Sequence, residues 1–218
     1  MSAIASELPV ISDPHQLGHR GAGLALADHG PSPKRVVVGY GFWIFLLSDF
    51  VMFSGFFAAF AVLGGSTADG PSGKDIFDVH KVAIETACLL LSSFACGLAS
   101  IAVEDRKTLT AQLWLLITAA LGAAFLVLEI HEFIGLIAQG DGPQRSAFLS
   151  AFFTLVGCHG LHVSIGLLWL VTMMSQISTI GFAPKVLRRL RCFSLFWHAL
   201  DIIWVAVFTV VYLIGVAK

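Results

Sequence analysis

Two histidines, His159 and His162, stand three residues apart in the middle of the apolar run 148–172. On a helix that spacing puts both on one face. Such a pair could ligate a metal, hold haem, or hydrogen-bond to a neighbouring helix. The same spacing recurs in two other apolar runs, as His198 with Asp201 and as Glu129 with Glu132. Asp49 and Glu85 add two more acids within apolar surroundings. Ionisable groups at such depth are costly and face protein or internal water. One reading is a proton relay or proton antenna. The plainer one is a set of acid–histidine hydrogen bonds that fix helix packing. Asp201 has His198 one turn away, which favours packing there. Asp49 has no such neighbour in its own segment, so a proton-related role is expected first of Asp49, with Glu85 beside it.

Metal chemistry fits the spacing poorly. His131-Glu132-Phe133-Ile134 begins like the zinc-protease pattern His-Glu-x-x-His, but position 135 is Gly and the second ligand is missing. A histidine pair three apart supplies two ligands at most, and His198 would have to be the third. Cys158 is expected to point elsewhere than this pair, because adjacent helical residues face different directions. Haem held between two imidazoles would need His159 or His162 opposite His198 or His131. His15, His19 and His29 are irregularly spaced and suggest no site. Cys88, Cys96, Cys158 and Cys192 form no Cys-x-x-Cys pair and read as free thiols that pack as small apolar residues.

The elements that must carry these residues are membrane helices. The chain is 57% hydrophobic and 12% charged, with mean hydropathy +0.86, against about 25% charged in soluble domains. The apolar runs are long blocks, which favours helices over a barrel. Each approaches or exceeds the roughly 20 residues needed to cross a bilayer. The expected fold is an all-α polytopic membrane protein with five spans, at about 37–63, 82–103, 113–138, 148–172 and 193–216. Residues 1–35 read as a flexible tail without a secretory signal, and 36–218 as the membrane domain. A net charge of −1 speaks against a nucleic-acid partner. No internal repeat is evident, which weakens an inverted-repeat transporter.

Five spans put the ends on opposite sides. One side receives Arg20, Lys34, Arg35, Arg106, Lys107, Lys185, Arg188, Arg189 and Arg191, and the other Lys74, Lys81, Arg145 and Lys218. Positive residues stay cytoplasmic, so the amino terminus is expected inside and the carboxyl terminus outside. Arg188, Arg189 and Arg191 mark that side and could also meet lipid headgroups.

The stretch Phe152-Phe153-Thr154-Leu155-Val156-Gly157-Cys158-His159-Gly160-Leu161-His162-Val163 resembles the signature of subunit III of the haem–copper terminal oxidases. Phe196-Trp197-His198-Ala199-Leu200-Asp201-Ile202-Ile203-Trp204 is similar to that family's last-helix motif. Glu129-Ile130-His131-Glu132-Phe133 resembles its glutamate-bearing stretch, and Gly41-Phe42-Trp43 with Ser48-Asp49 its first segment in the five-helix form. The likeness spans about 39–215. The loops at 70–77 and 142–146 resemble the ubiquinol-oxidase branch. Asp49 stands where many cytochrome c oxidases carry a reactive glutamate, and Glu85 where they often have asparagine.

The resemblance implies an accessory, non-redox subunit of a proton-pumping quinol oxidase in a bacterial inner membrane. It implies no metal and no haem in this chain, with haem b, haem o and copper in subunit I. Subunits I, II and IV and membrane phospholipid are the implied partners, and ubiquinol acts on the complex. The first two helices would form one group and the other three a second, with lipid in the cleft between. Glu129, Glu132, His159, His162, His198 and Asp201 would form a polar network in the three-helix group. A cytochrome c oxidase subunit of the same fold is the alternative, and an independent transporter or channel a further one.

Overall fold

The computed structural model describes residues 34–66 and 79–213. The expected tail lies almost wholly outside them. The chain divides after Tyr40. Of the first unit the described part is the opening turns of one helix, and the packing below is that of the second unit, 41–218.

Five long helices follow one another: α1 (Lys34–Leu63), α2 (Val79–Glu104), α3 (Thr108–Ala138), α4 (Ala147–Ile180) and α5 (Pro184–Val207). The last continues as a six-residue π-helix, Phe208–Leu213. There is no strand among the described residues. All five are long and apolar enough to cross a membrane.

The turns are set by local chemistry. Arg106 takes the left-handed conformation (φ 55°) just past α2. Lys107 N–H then donates to Ala102 C=O at 3.0 Å and Arg106 N–H to Val103 C=O at 3.1 Å. This is the Schellman closure, which glycine usually provides. Gly140 (φ 86°) does the same past α3, with Asp141 N–H on Leu136 C=O and Gly140 N–H on Ile137 C=O. Ser146 caps α4 by accepting from Leu149 N–H at 3.2 Å. Pro184 opens α5, where its missing N–H costs nothing.

α2 packs along α3 and α5, and α4 packs along α3 and α5. α1 meets α4 through ring contacts, Phe42 with Trp169, Phe53 with His159 and His162, and Phe60 with Phe148. The expected grouping of 37–63 with 82–103 therefore differs from the packing seen. The connection between α2 and α3 is too short to let them separate, so they lie antiparallel side by side. The longer link after α1 leaves it free to lie elsewhere.

α1 presents one inward seam, Phe42, Leu46, Asp49, Phe53, Phe56, Phe60 and Leu63, spaced alternately by four and three. Every residue of the seam is at least half-buried, while Val51, Met52 and Val62 between them are exposed. That spacing is the heptad pattern of packed helices.

With lipid as solvent, helices gain little from hiding apolar surface and depend on close packing. Trp197 of α5 supplies it here. A Cβ on Gly122 of α3 would lie 2.8 Å from its ring, and one on Gly166 of α4 would lie 2.9 Å away. Two glycines on different helices thus form the slot for one indole. Its Nε1–H donates to Ser92 Oγ of α2 at 2.9 Å, so a single side chain joins four helices.

Candidate functional site: polar clusters between the helices

The deep polar residues fall in three places. The first joins α2, α3 and the π-helix. Glu85 and Glu129 are buried, and Glu132 is half-buried. The three carboxyls are within electrostatic range of one another. Tyr212 O–H donates to Glu132 Oε2 at 3.2 Å. Glu129 lies on the backbone of α4: a Cβ at Gly160 would come within 2.5 Å of its Oε1. A cleft of about 240 Å³ between α2 and α3 reaches Glu85 and Glu132, with Lys81, His131 and Gln139 on its walls. One oxygen each of Glu85 and Glu129 has no hydrogen-bond partner among the described residues.

The second place is an aromatic box. His159 is fully buried between Phe53, Phe125 and Trp204, with ring centroids 6.4, 5.8 and 5.1 Å away. Neither ring nitrogen has a hydrogen-bond partner among the described residues. His131 lines the glutamate cleft. His162, half-buried one turn on, donates from Nδ1–H to a carbonyl of its own helix. Nδ1 is 2.7 Å from Cys158 C=O and 3.7 Å from Cys158 Sγ. Cys158, expected to point away from the pair, instead accompanies His162, because residues four apart on a helix share a face. His162 is also the ionisable neighbour of Asp49 across the α1–α4 seam. That neighbour comes from the helix opposite and not from Asp49's own segment.

The third place couples α2 and α5. His198 Nδ1 lies 2.6 Å from Ser93 Oγ. His198 and Asp201 line a shallow groove with Ser93, Phe94 and Gly97. Close by, Trp204 Nε1–H donates to Thr86 Oγ1 at 3.0 Å, and Thr86 donates to Val82 C=O at 2.8 Å.

Of the six residues expected to meet, Glu129 and Glu132 come together, as do His159 with His162 and His198 with Asp201. Trp204 links two of these places, as a wall of the His159 box and as the donor to Thr86 of α2. Glu85, expected apart, joins the glutamates. Residues of α2 that drew no attention as sequence, Thr86, Ser92 and Ser93, supply the interhelical partners. Tyr212, one of only two tyrosines, was a signal that went unused. Among the described residues no three His, Cys, Asp or Glu side chains converge to hold a metal ion. Arg189 donates to Gln176 Oε1 at 3.0 Å and so ties α5 to α4. Arg191 lines a separate cleft with Arg106.

Residues 25–216 match the family described as cytochrome c oxidase subunit III. Curated relatives cover nearly whole chains. The cytochrome bo(3) ubiquinol oxidase subunit 3 of Pseudomonas aeruginosa is 51% identical over 94% of this chain and 95% of its own length. That of Pseudomonas putida is 53% identical over 81% and 85%. The quinol oxidase subunit 3 of Bacillus subtilis is 42% identical over 80% and 86%.

Proposed function

The chain belongs to the cytochrome c oxidase subunit III family, and we propose that it scaffolds the redox subunit of a cytochrome bo type ubiquinol oxidase and holds phospholipid beside it. In this reading it is the non-catalytic third subunit of a proton-translocating complex. Quinol oxidation and oxygen reduction take place in subunit I, which carries haem b, haem o and copper. Subunits II and IV complete the assembly. The relatives named for quinol oxidation favour this over a cytochrome c oxidase.

The observation that carries the scaffold reading is how the deep polar side chains are used. Trp197, Trp204 and His198 each bond to a hydroxyl of α2, and His159 serves as one wall of an aromatic box. These contacts fix helices against one another. Asp49 and Glu85 remain the candidates for proton exchange with the complex. The nine-to-four distribution of basic residues supports a cytoplasmic amino terminus and a periplasmic carboxyl terminus in the bacterial inner membrane.

The test is His162→Leu in the whole complex. The expected result is a lower yield or lower thermal stability of the assembled oxidase, with haem bands per complex unchanged. A haem band lost from an otherwise intact complex overturns the proposal.

A further inference from the structure

One ionisable pair opens onto the outside of the bundle at mid-depth. His198 and Asp201 are both half-buried. They stand about halfway along the span Pro184–Leu213, beside Ser93 and Gly97 near the middle of the span His80–Glu104. The four residues floor a groove of about 350 Å³ between α2 and α5, and Phe94 and Ile101, both exposed, form its apolar rim. Ser93 Oγ lies 2.6 Å from His198 Nδ1. That bond uses one edge of the ring and leaves Nε2 for another partner. Asp201 Oδ1 has no hydrogen-bond partner among the described residues. We propose that this groove seats a membrane-spanning helix of another oxidase subunit, one that lays a small residue on Gly97 and turns a hydroxyl or amide side chain to the His198–Asp201 pair.

The chemistry of the groove selects this occupant. Ionisable side chains at such depth are costly against hydrocarbon and are met by protein or internal water. Acyl chains offer neither donor nor acceptor, so lipid leaves the pair unmatched. Ser48 and Ser54, hydroxyls elsewhere on the outer surface, bond back to carbonyls of their own helix and call for nothing outside. A protein segment at this depth must satisfy its backbone internally, which makes it a helix. Ser93 and Gly97 are four apart and share one face of α2. That is the small-xxx-small spacing which lets a second helix come close. A Cβ on Gly97 would meet nothing within 4 Å. The space beside Gly122, Gly160 and Gly166 is filled from within the bundle, by Trp197 or Glu129, whereas the space beside Gly97 is left for another chain.

The surface presupposes the oxidase complex proposed above, so subunit content and contact are read separately. In the whole complex, p-benzoylphenylalanine replaces Phe94, the membranes are irradiated, and the purified adduct is mapped by mass spectrometry. The expected adduct is to a membrane-spanning segment of another oxidase subunit that carries Ser, Thr, Asn or Gln within one turn of the captured residue. Gly97→Leu fills the groove from a position where this chain sets no obstacle to a Cβ. It is expected to lower both the adduct and the retention of that subunit several-fold, with the amount of this chain in the membrane unchanged, and Gly97→Ala to fall between. Should Gly97→Leu fail to accumulate, the adduct itself and Gly97→Ala decide. An adduct to a second copy of this chain, a captured segment without a polar side chain, or full retention in both variants overturns the surface. A chain that purifies without oxidase subunits overturns both readings; one that keeps them while position 94 captures only lipid overturns this surface alone.

Discussion

The carboxyl of Glu129 lies against Gly160, so close that a methyl group there would fall 2.5 Å from its Oε1. Gly157, one turn earlier, leaves 3.5 Å to the Phe133 ring. Gly160→Ala must push an acid or a helix aside, which costs about 1–3 kcal/mol as overpacking. Gly157→Ala adds an ordinary contact and is expected to be nearly neutral. Thermal unfolding of the purified complex compares them. Equal melting temperatures would show that α3 and α4 are not in this contact.

Trp197 offers a second test, because its ring and its N–H do separate jobs. Trp197→Phe removes the donor to Ser92, and the loss of that bond is expected to cost about 1 kcal/mol, in addition to the smaller ring. Ser92→Ala should cost less in the Phe background than in the native one, since its partner is already gone. A double-mutant cycle on stability measures the difference. Strict additivity would mean the bond contributes nothing.

Asp49→Asn is expected to leave the complex assembled. Asparagine keeps the size that the α1 seam requires between Leu46 and Phe53. Co-purification of this chain with the haem-bearing subunit is the readout. If the subunit dissociates, the charge of Asp49 is what holds α1 in place.

The turn at Arg106 holds a side chain in the left-handed region (φ 55°). A left-handed residue other than glycine costs about 1–2 kcal/mol. Arg106→Gly should relieve that cost and raise thermal stability. Arg106→Gln should bring no such gain. A Gly variant no more stable than the Gln variant would show that the turn is not strained.

Spans were legible from hydropathy because the bilayer demands long apolar runs. Their ends were less so. The stretch 173–180 is polar, yet it stays helical, with Ser178 and Thr179 hydroxyls bonded to carbonyls four residues back. Lys185 to Arg191, which fall between the expected spans 148–172 and 193–216, form the first turns of α5. Hydropathy reports what lipid tolerates, and a helix continues past that limit. The seam of α1 was present in the order Phe42, Leu46, Asp49, Phe53, Phe56, Phe60, and only its partner helix was hidden. The partners of Trp197, His198 and Trp204 were hidden more deeply. They are small hydroxyls on a helix about a hundred residues away, and no local spacing marks them.

The π-helix at the end of α5 has a consequence for alignment of the chain with itself. In a π turn each carbonyl is reached one residue later than in an α turn. An extra residue is thereby absorbed without lengthening the connection, and the side chains beyond it keep the facing they would have without it. Tyr212 meets Glu132 from within that turn. Removing one residue between 208 and 211 would let the helix run on as regular α-helix, with every backbone bond kept. The tyrosine hydroxyl would then keep its facing toward Glu132, whereas the same deletion in the regular part of α5 would turn every later side chain by roughly 100°, so the tail is the one stretch of this helix that can lose a residue without losing its pairing.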